Sequence, residues 1–491
     1  MQRSWVGGAA LLALLSVAAP ASANGRFPSA DQILIDPDDS AHWLMRATFG
    51  LLDSHDAGRS WSWICEAAVG FMGGDPALGV QRGGGLLAGY YGAVSVSADQ
   101  GCGWSSLSMD VGHRYVIDAT LDPGDPTRSW VLTASAEASR NVSLLALGSA
   151  GTILETLNVG QGFVPSTVEV APSKTDRMYV TGFIAGDSAL VLRSDDRGRD
   201  WQIFRVQPYG ALPLYISAID PHDPDRIYAR VDDTVPASLA ETGSDTAPAD
   251  HLLLSTDAGE TWTTIFSPNT DLLGFALSPD GSRIAAGGPG AGVYLASATV
   301  LDFRPAPGKV QMLRCLRWTA QGLLACGQEP QDAWTIASSN DEAQTFTPLW
   351  HVRDLKPLEC AAATSTGATC PVVWPDIARS IGADPDRSSK SPPPLAPADA
   401  GPVSSTVPPS SVPPSSAPDA AQSSSSGCAL QARAPAARAP WLSSGAVLGW
   451  LWLRRTRRFR QRATRDGPPR REAGSRPAWL GGGCSARERS L

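Results

Sequence analysis

Histidine is scarce in this chain, with six copies in 491 residues, and they are scattered. That scarcity argues against chemistry built on clustered imidazoles. There is no G-x-S-x-G nucleophile elbow, no HExxH and no phosphate-binding loop. Cysteine never occurs as a CxxC pair, so zinc-ribbon spacing is missing, and neither a metal nor a cofactor is expected. Charged residues make up only 18% of the chain, and helical periodicity is rare. Short β-rich runs bounded by Gly, Asp, Asn and Pro take its place, drawing on 48 Gly and 40 Pro. The chain reads as all-β.

The two ends read as sorting devices. Arg3, the apolar run "VGGAALLALLSVAAP" and Ala21-Ser22-Ala23 have the layout of an export signal over 1–23. Export would put Cys65, Cys102, Cys315, Cys326, Cys360 and Cys370 in an oxidising compartment. Sequence alone leaves their connectivity open. A hairpin turning at Ala320-Gln321 sets Cys315 opposite Cys326. Cys360 and Cys370 would close a small loop, which leaves Cys65 with Cys102. After the folded part (24–375), residues 376–427 are rich in Pro, Ser and Ala and read as a disordered stalk. Residues 428–462 then hold Gly427-adjacent Cys428, an apolar helix over 439–453, and arginines from Arg454 and Arg455 onward, before a basic tail at 463–491. The helix would be about 22 Å long, short against roughly 30 Å of hydrocarbon. Arginines after an apolar helix hold that end in the cytoplasm. A linker, a Gly-Cys, a short apolar helix and an Arg cluster together resemble the myxobacterial C-terminal sorting signal, MYXO-CTERM. That resemblance implies retention in the membrane, processing near Cys428 and display at the cell surface. A plain membrane anchor is the alternative.

The formal charge of −8 is unevenly spread. Twelve basic and three acidic residues from Arg454 onward leave +9 in the tail and −17 in the rest. An acidic exported domain argues against a nucleic-acid partner.

The informative feature is a repeated frame, Ser-x-Asp-x-Gly-x-x-Trp. It occurs at Ser54, Asp56, Gly58 and Trp61; at Ser97, Asp99, Gly101 and Trp104; at Ser194, Asp196, Gly198 and Trp201; and at Ser255, Asp257, Gly259 and Trp262. A weaker copy has Asp341, with Ala343 for Gly and Phe346 for Trp. A catalytic set is assembled once, whereas a motif repeated whole builds something larger. The types suit a tight turn: Ser and Asp satisfy turn backbone, Gly takes positive φ, and the indole drops between neighbouring sheets. The frame resembles the Asp-box, or BNR, repeat of sialidase-like β-propellers, whose relatives include sialidases, xyloglucanase-type hydrolases, sortilin and the photosystem II stability factor group. The match runs roughly from Ile33 to Trp350. It implies a single β-propeller with the boxes away from the ligand face.

Pro-Asp elements such as "AIDPHDPDRIYARV" mark strand–turn–strand units that count the remaining blades. Starts near Ile33, Ala77, Val116, Val168, Ile216, Leu273 and Val310 give seven four-stranded blades, with six plus an extra sheet as the alternative. "LECAAATSTGATCPVVW" (358–374) would either complete the first blade or form a disulfide-tied cap.

Function is then expected on loops opposite the boxes. The long acidic loop 231–251 offers Asp232, Asp233, Glu241, Asp245 and Asp250, and shorter segments add Tyr90, Tyr91, Tyr209 and the His113-Arg114-Tyr115 run. A sialidase needs three converging arginines, and nothing in the spacing of Arg46, Arg193 and Arg230 specifies them. Asp118, Asp122, Asp220 and Asp225 read as Pro-Asp turn residues rather than a catalytic pair. The expectation is a surface-anchored, non-catalytic module that binds extracellular protein or glycan. A divergent sialidase-like or xyloglucanase-like glycoside hydrolase is the alternative.

Overall fold

The computed structural model describes residues 30–108, 114–137, 140–232 and 250–386. The export signal, the linker beyond 386, and the sorting segment with Cys428, Arg454 and Arg455 lie outside the described residues. So do His113, Asp233, Glu241 and Asp245.

Among the described residues the strands form seven sheets, each built on a four-stranded antiparallel meander in chain order, with a fifth strand added to the first. The inner strands are Ala30–Ile35, Ala77–Gln81, Arg114–Leu121, Val164–Val170, Leu214–Ile219, Gly274–Leu277 and Cys315–Thr319. The seven expected starts fall in these strands or within a few residues of them. Each inner strand touches the next around the ring, and the seventh touches the first. The fold is a closed seven-bladed β-propeller.

The apolar pattern follows from that closure. Seven clusters of buried side chains fill the seven seams between blades. In the second strand of blade 1, Leu44 serves the seam with blade 2, while Met45 serves the seam with blade 7. Middle strands such as Ser188–Ser194 and Ile227–Val231 are therefore buried on both faces. Fourth strands lie at the perimeter, and Gln202–Val206 is exposed along much of its length. Each fully buried aliphatic side chain contributes about 1.5–3 kcal/mol, so the seams supply most of the cohesion.

The last segment closes the ring. Lys356–Pro357 pairs in parallel with Ser62 and Trp63 as a fifth strand on blade 1, and Leu358 N–H donates to the Trp63 carbonyl at 3.0 Å. This covers a sheet edge that would otherwise stay unpaired. A helix then spans Ser365–Ile381, running past position 375, where linker was expected. Trp374 packs on Trp63 with centroids 5.7 Å apart, and Thr366 Oγ1 donates to the Gly101 carbonyl at 2.5 Å. Of the two expected fates of segment 358–374, the disulfide-tied one holds, while the strand added to blade 1 lies just before it at Lys356–Pro357.

The disulfides correct part of the sequence reading. Cys315–Cys326 forms across its hairpin as expected. Cys65 pairs with Cys370, and Cys102 with Cys360, in place of the local pairs. The reason is topological: the terminal segment returns to blades 1 and 2, which brings cysteines 305 and 258 residues apart into contact. Cross-links over such long loops remove much unfolded-chain entropy. Non-reducing peptide mapping is expected to recover 65–370 and 102–360 peptides, and the Cys65→Ser/Cys370→Ser double variant to lose about 3–5 kcal/mol in denaturant melts. Recovery of 65–102 and 360–370 peptides would contradict this closure.

Candidate functional site

The repeated frames occupy the turns between third and fourth strands in blades 1, 2, 4, 5 and 7, and their geometry is nearly identical. The hydroxyls of Ser54, Ser97, Ser194, Ser255 and Ser339 each donate to the following Asp at 2.7–2.9 Å. Each also accepts the N–H four residues on, at 2.8–3.0 Å. The Asp in turn accepts the backbone N–H at its own position plus four, at 2.7–3.0 Å. Two successive residues sit in the left-handed region, such as Gln100 at +57° and Gly101 at +86°. Glycine serves a second purpose at Gly101, where a Cβ would lie 2.4 Å from Ile64 of the preceding blade. Blade 7 manages with Ala343 at +56°.

The tryptophans fill the seams as expected, and they make a bond that the sequence does not announce. Trp61, Trp104, Trp201 and Trp262 each donate their indole N–H to the carbonyl of their own frame's glycine, at 2.9–3.1 Å. Trp61 is buried between Trp43 and Trp350, and Trp262 packs in the seam between blades 4 and 5. In blades 3 and 6 the same turn is built from Gly148–Thr152 and Ser297–Leu301 without the frame.

Ion pairs lace the same face from blade to blade: Arg197 with Asp122, Arg177 with Asp225, Arg193 with Glu260, and Arg283 with Glu342. These carboxylates and guanidinium groups are committed to holding blades together. On blade 1 the same face gathers His42, Asp53 and His55, the one group of metal-ligating side chains among the described residues.

The opposite face, where strand 2 meets strand 3 and one blade leads to the next, carries the residues expected to bind ligand. The structure does not bring them to one place. Tyr90 and Tyr91 belong to blade 2, whereas Tyr209, Asp232 and Asp250 lie at blade 5. Asp250 is a correction: it is fully buried and accepts from Arg230 at 2.8 Å and from Leu272 N–H at 2.7 Å. Burial pushes its carboxyl up, with Arg230 opposing. Asp232 is also buried. Tyr90 turns inward, with its hydroxyl 2.9 Å from Ser95 Oγ and 3.3 Å from Ser106 Oγ. Tyr209 lies against His251 and bonds Thr264. The open feature is Tyr91 with Tyr115. Both are about half exposed, at 50% and 48%, and their rings sit 4.7 Å apart at 52°. Gly92 N–H donates to the Arg114 carbonyl at 2.8 Å, and Arg114 grips Thr133 and Asn141, so the pair stands on a braced junction of blades 2 and 3.

Charged residues also line the channel. Asp118 lies on the inner strand of blade 3 rather than in a Pro-Asp turn, which corrects the sequence reading. It accepts Val168 N–H from the neighbouring inner strand at 3.0 Å. Enclosure by the ring raises it to about 7, against backbone donors and the charge of Arg46, although it keeps partial contact with the channel. Glu169 accepts Thr120's hydroxyl at 3.1 Å and acts on Arg317 from across the axis, where burial lowers the guanidinium. Arg46, Arg193 and Arg230 do not converge: each serves a different partner, namely Pro76 carbonyl, Glu260 and Asp250.

No protein-family model matches this sequence, and no curated protein matches it either. Among solved structures the chain is similar to an ancestral GH74 enzyme, with 12% identity and a TM-score of 0.48 over 66% of this chain and 46% of that one. It thus spans about half of that enzyme's length. It is also similar to the β-propeller domain of Myceliophteria thermophila Cps50 (Swd1), at 12% identity and a TM-score of 0.43, covering 62% of this chain and 94% of that one.

Two outcomes test the repeated turn. Trp61→Ala is expected to cost about 3–5 kcal/mol in chemical melts, and Trp61→Phe, which keeps most of the volume and loses the N–H, about 1 kcal/mol. The frame carboxylates also set an acid limit. Thr345 and Ser339 pull Asp341 down to about 2, and Ser278 and Ser282 do the same for Asp280, which lies outside the frames in the first turn of blade 6. Burial works to raise Asp56 and Asp257, but their hydroxyl and N–H donors outweigh it. Folded values below the ordinary one mean stabilisation that is complete above about pH 4 and lost as pH falls toward 2. The thermal midpoint should therefore drop as pH falls below about 4.

Proposed function

We propose that this chain is an exported, surface-displayed propeller of the Asp-box type that binds an extracellular partner without catalysis. The five like hydrogen-bond networks support the Asp-box reading, and three disulfides are consistent with an extracellular setting. Display through a MYXO-CTERM-like signal, with the membrane holding the C-terminal helix, rests on the sequence pattern. A Pro/Ser-rich stalk would let a rigid head reach its partner.

The observation that carries the binding reading is the braced, half-exposed pair of Tyr91 and Tyr115. Tyrosine combines a flat apolar face with a hydroxyl tip and loses little entropy on binding. Two rings inclined to each other favour a glycan, whose pyranose faces stack on aromatics, over an extended peptide. The committed carboxylates and the scattered arginines speak against a sialidase site.

One observation favours the second reading, a glycoside hydrolase. Asp118 is a channel carboxyl held near neutrality, the form a general acid takes.

Glycan-array binding and fluorogenic glycoside hydrolysis separate the two. The Tyr91→Ala/Tyr115→Ala variant is expected to weaken glycan binding about tenfold or more with an unchanged thermal midpoint, while Asp118→Asn leaves binding in place. Turnover that Asp118→Asn abolishes, with the tyrosine variant still binding, would replace this reading by the hydrolase.

A further inference from the structure

The repeat-bearing face of blade 1 holds a side-chain cluster that neither the turn nor the ligand face uses. His42 sits between two carboxylates, with Nδ1 3.1 Å from Asp36 Oδ2 and Nε2 2.9 Å from Asp53 Oδ1. His55 Nε2 lies 2.8 Å from Asp53 Oδ2. The two imidazoles stack 4.4 Å apart and nearly parallel, at 5°. Ligating atoms of His42, Asp53 and His55 all fall within 4.8 Å of one another. His42, Asp36 and Asp53 are buried, whereas the His55 side chain is 44% exposed. His55 fills the second place of the repeated frame, where the other copies have Ala98, Asp195, Thr256 and Asn340.

A plain clip between the two turns of a blade is the simplest use of such a cluster. Blade 4 has one, in which Lys174 and Arg177 of the first turn pair with Asp195 of the frame. Blade 1 differs in ways an ion pair does not require. Asp53 Oδ2 is wholly buried and lacks an aligned hydrogen bond, with His55 Nε2 2.8 Å away. Asp36 holds the far nitrogen of His42, the arrangement in which a carboxylate fixes the tautomer of a metal-bound histidine.

We propose that His42 Nε2, His55 Nε2 and the Asp53 carboxylate bind a divalent transition-metal ion of the zinc class, with Asp36 as a positioning residue. Two nitrogens and one carboxylate suit zinc, nickel or copper rather than the all-oxygen preference of calcium and magnesium. The exposed edge at His55 leaves the fourth position to water. The ion would tie the first and second turns of the blade on which the ring closes.

The test uses the full chain in detergent, stripped with EDTA and titrated with zinc chloride by calorimetry, with cobalt(II) absorption as a spectroscopic reporter. One equivalent of zinc at micromolar or tighter affinity, a tetrahedral cobalt spectrum and a raised thermal midpoint are expected, with magnesium silent. His55→Ala changes an exposed side chain and should keep the near-UV circular dichroism of the parent while losing the cobalt spectrum. Asp36→Asn should weaken zinc about 10–100-fold. No stoichiometric zinc on the stripped parent chain, or equal zinc binding by parent and His55→Ala, would overturn the site. Unchanged affinity in Asp36→Asn would overturn the positioning role.

Discussion

The structure depends on a turn that folds back on itself and leans on its neighbour. In each full frame the indole N–H bonds the carbonyl of its own glycine, so the ring is fixed before it meets another blade. The fixed ring and the close-packed glycine then face the preceding sheet: Gly101 against Ile64, and Gly259 against Val191. A blade with two apolar faces cannot bury them by itself. Repeating one rigid contact around the ring buries both faces of every blade, and the terminal strand and helix seal the one seam that chain order leaves open.

That division of labour sets the topography. One face is consumed by repeated turns and by ion pairs that run from blade to blade. The other carries the connections from strand 2 to strand 3 and from blade to blade, and there an aromatic pair stands open on a braced junction. Recognition belongs where side chains are not needed for cohesion. The His42 cluster departs from this rule and lies in the blade that also carries the closure.

Local signals were readable and long-range ones were not. The frame is an eight-residue pattern whose Ser, Asp and Gly answer to backbone within the same turn, so it appears plainly in the chain. The Cys315–Cys326 pair is equally local, set by hairpin register. Cys65–Cys370 and Cys102–Cys360 depend on where the terminal helix docks, and nothing near either cysteine encodes that. Asp250 looked like one acid among many in a polar loop, yet its partner is Arg230, twenty residues earlier and on the adjacent strand. Asp118 followed the same logic, because its enclosure comes from inner strands of other blades. The His42–His55 cluster had one visible cue, a histidine inside a frame whose other copies lack it.

The central claim is that each frame's aromatic ring couples its blade to the one before it. A double-mutant cycle on Trp61 and Trp350, which meet across the closing seam with centroids 5.9 Å apart, measures that coupling directly. An interaction energy of about 0.5–1.5 kcal/mol is expected. Strictly additive single-mutant losses would mean that the rings only fill their own blades, and would contradict the account.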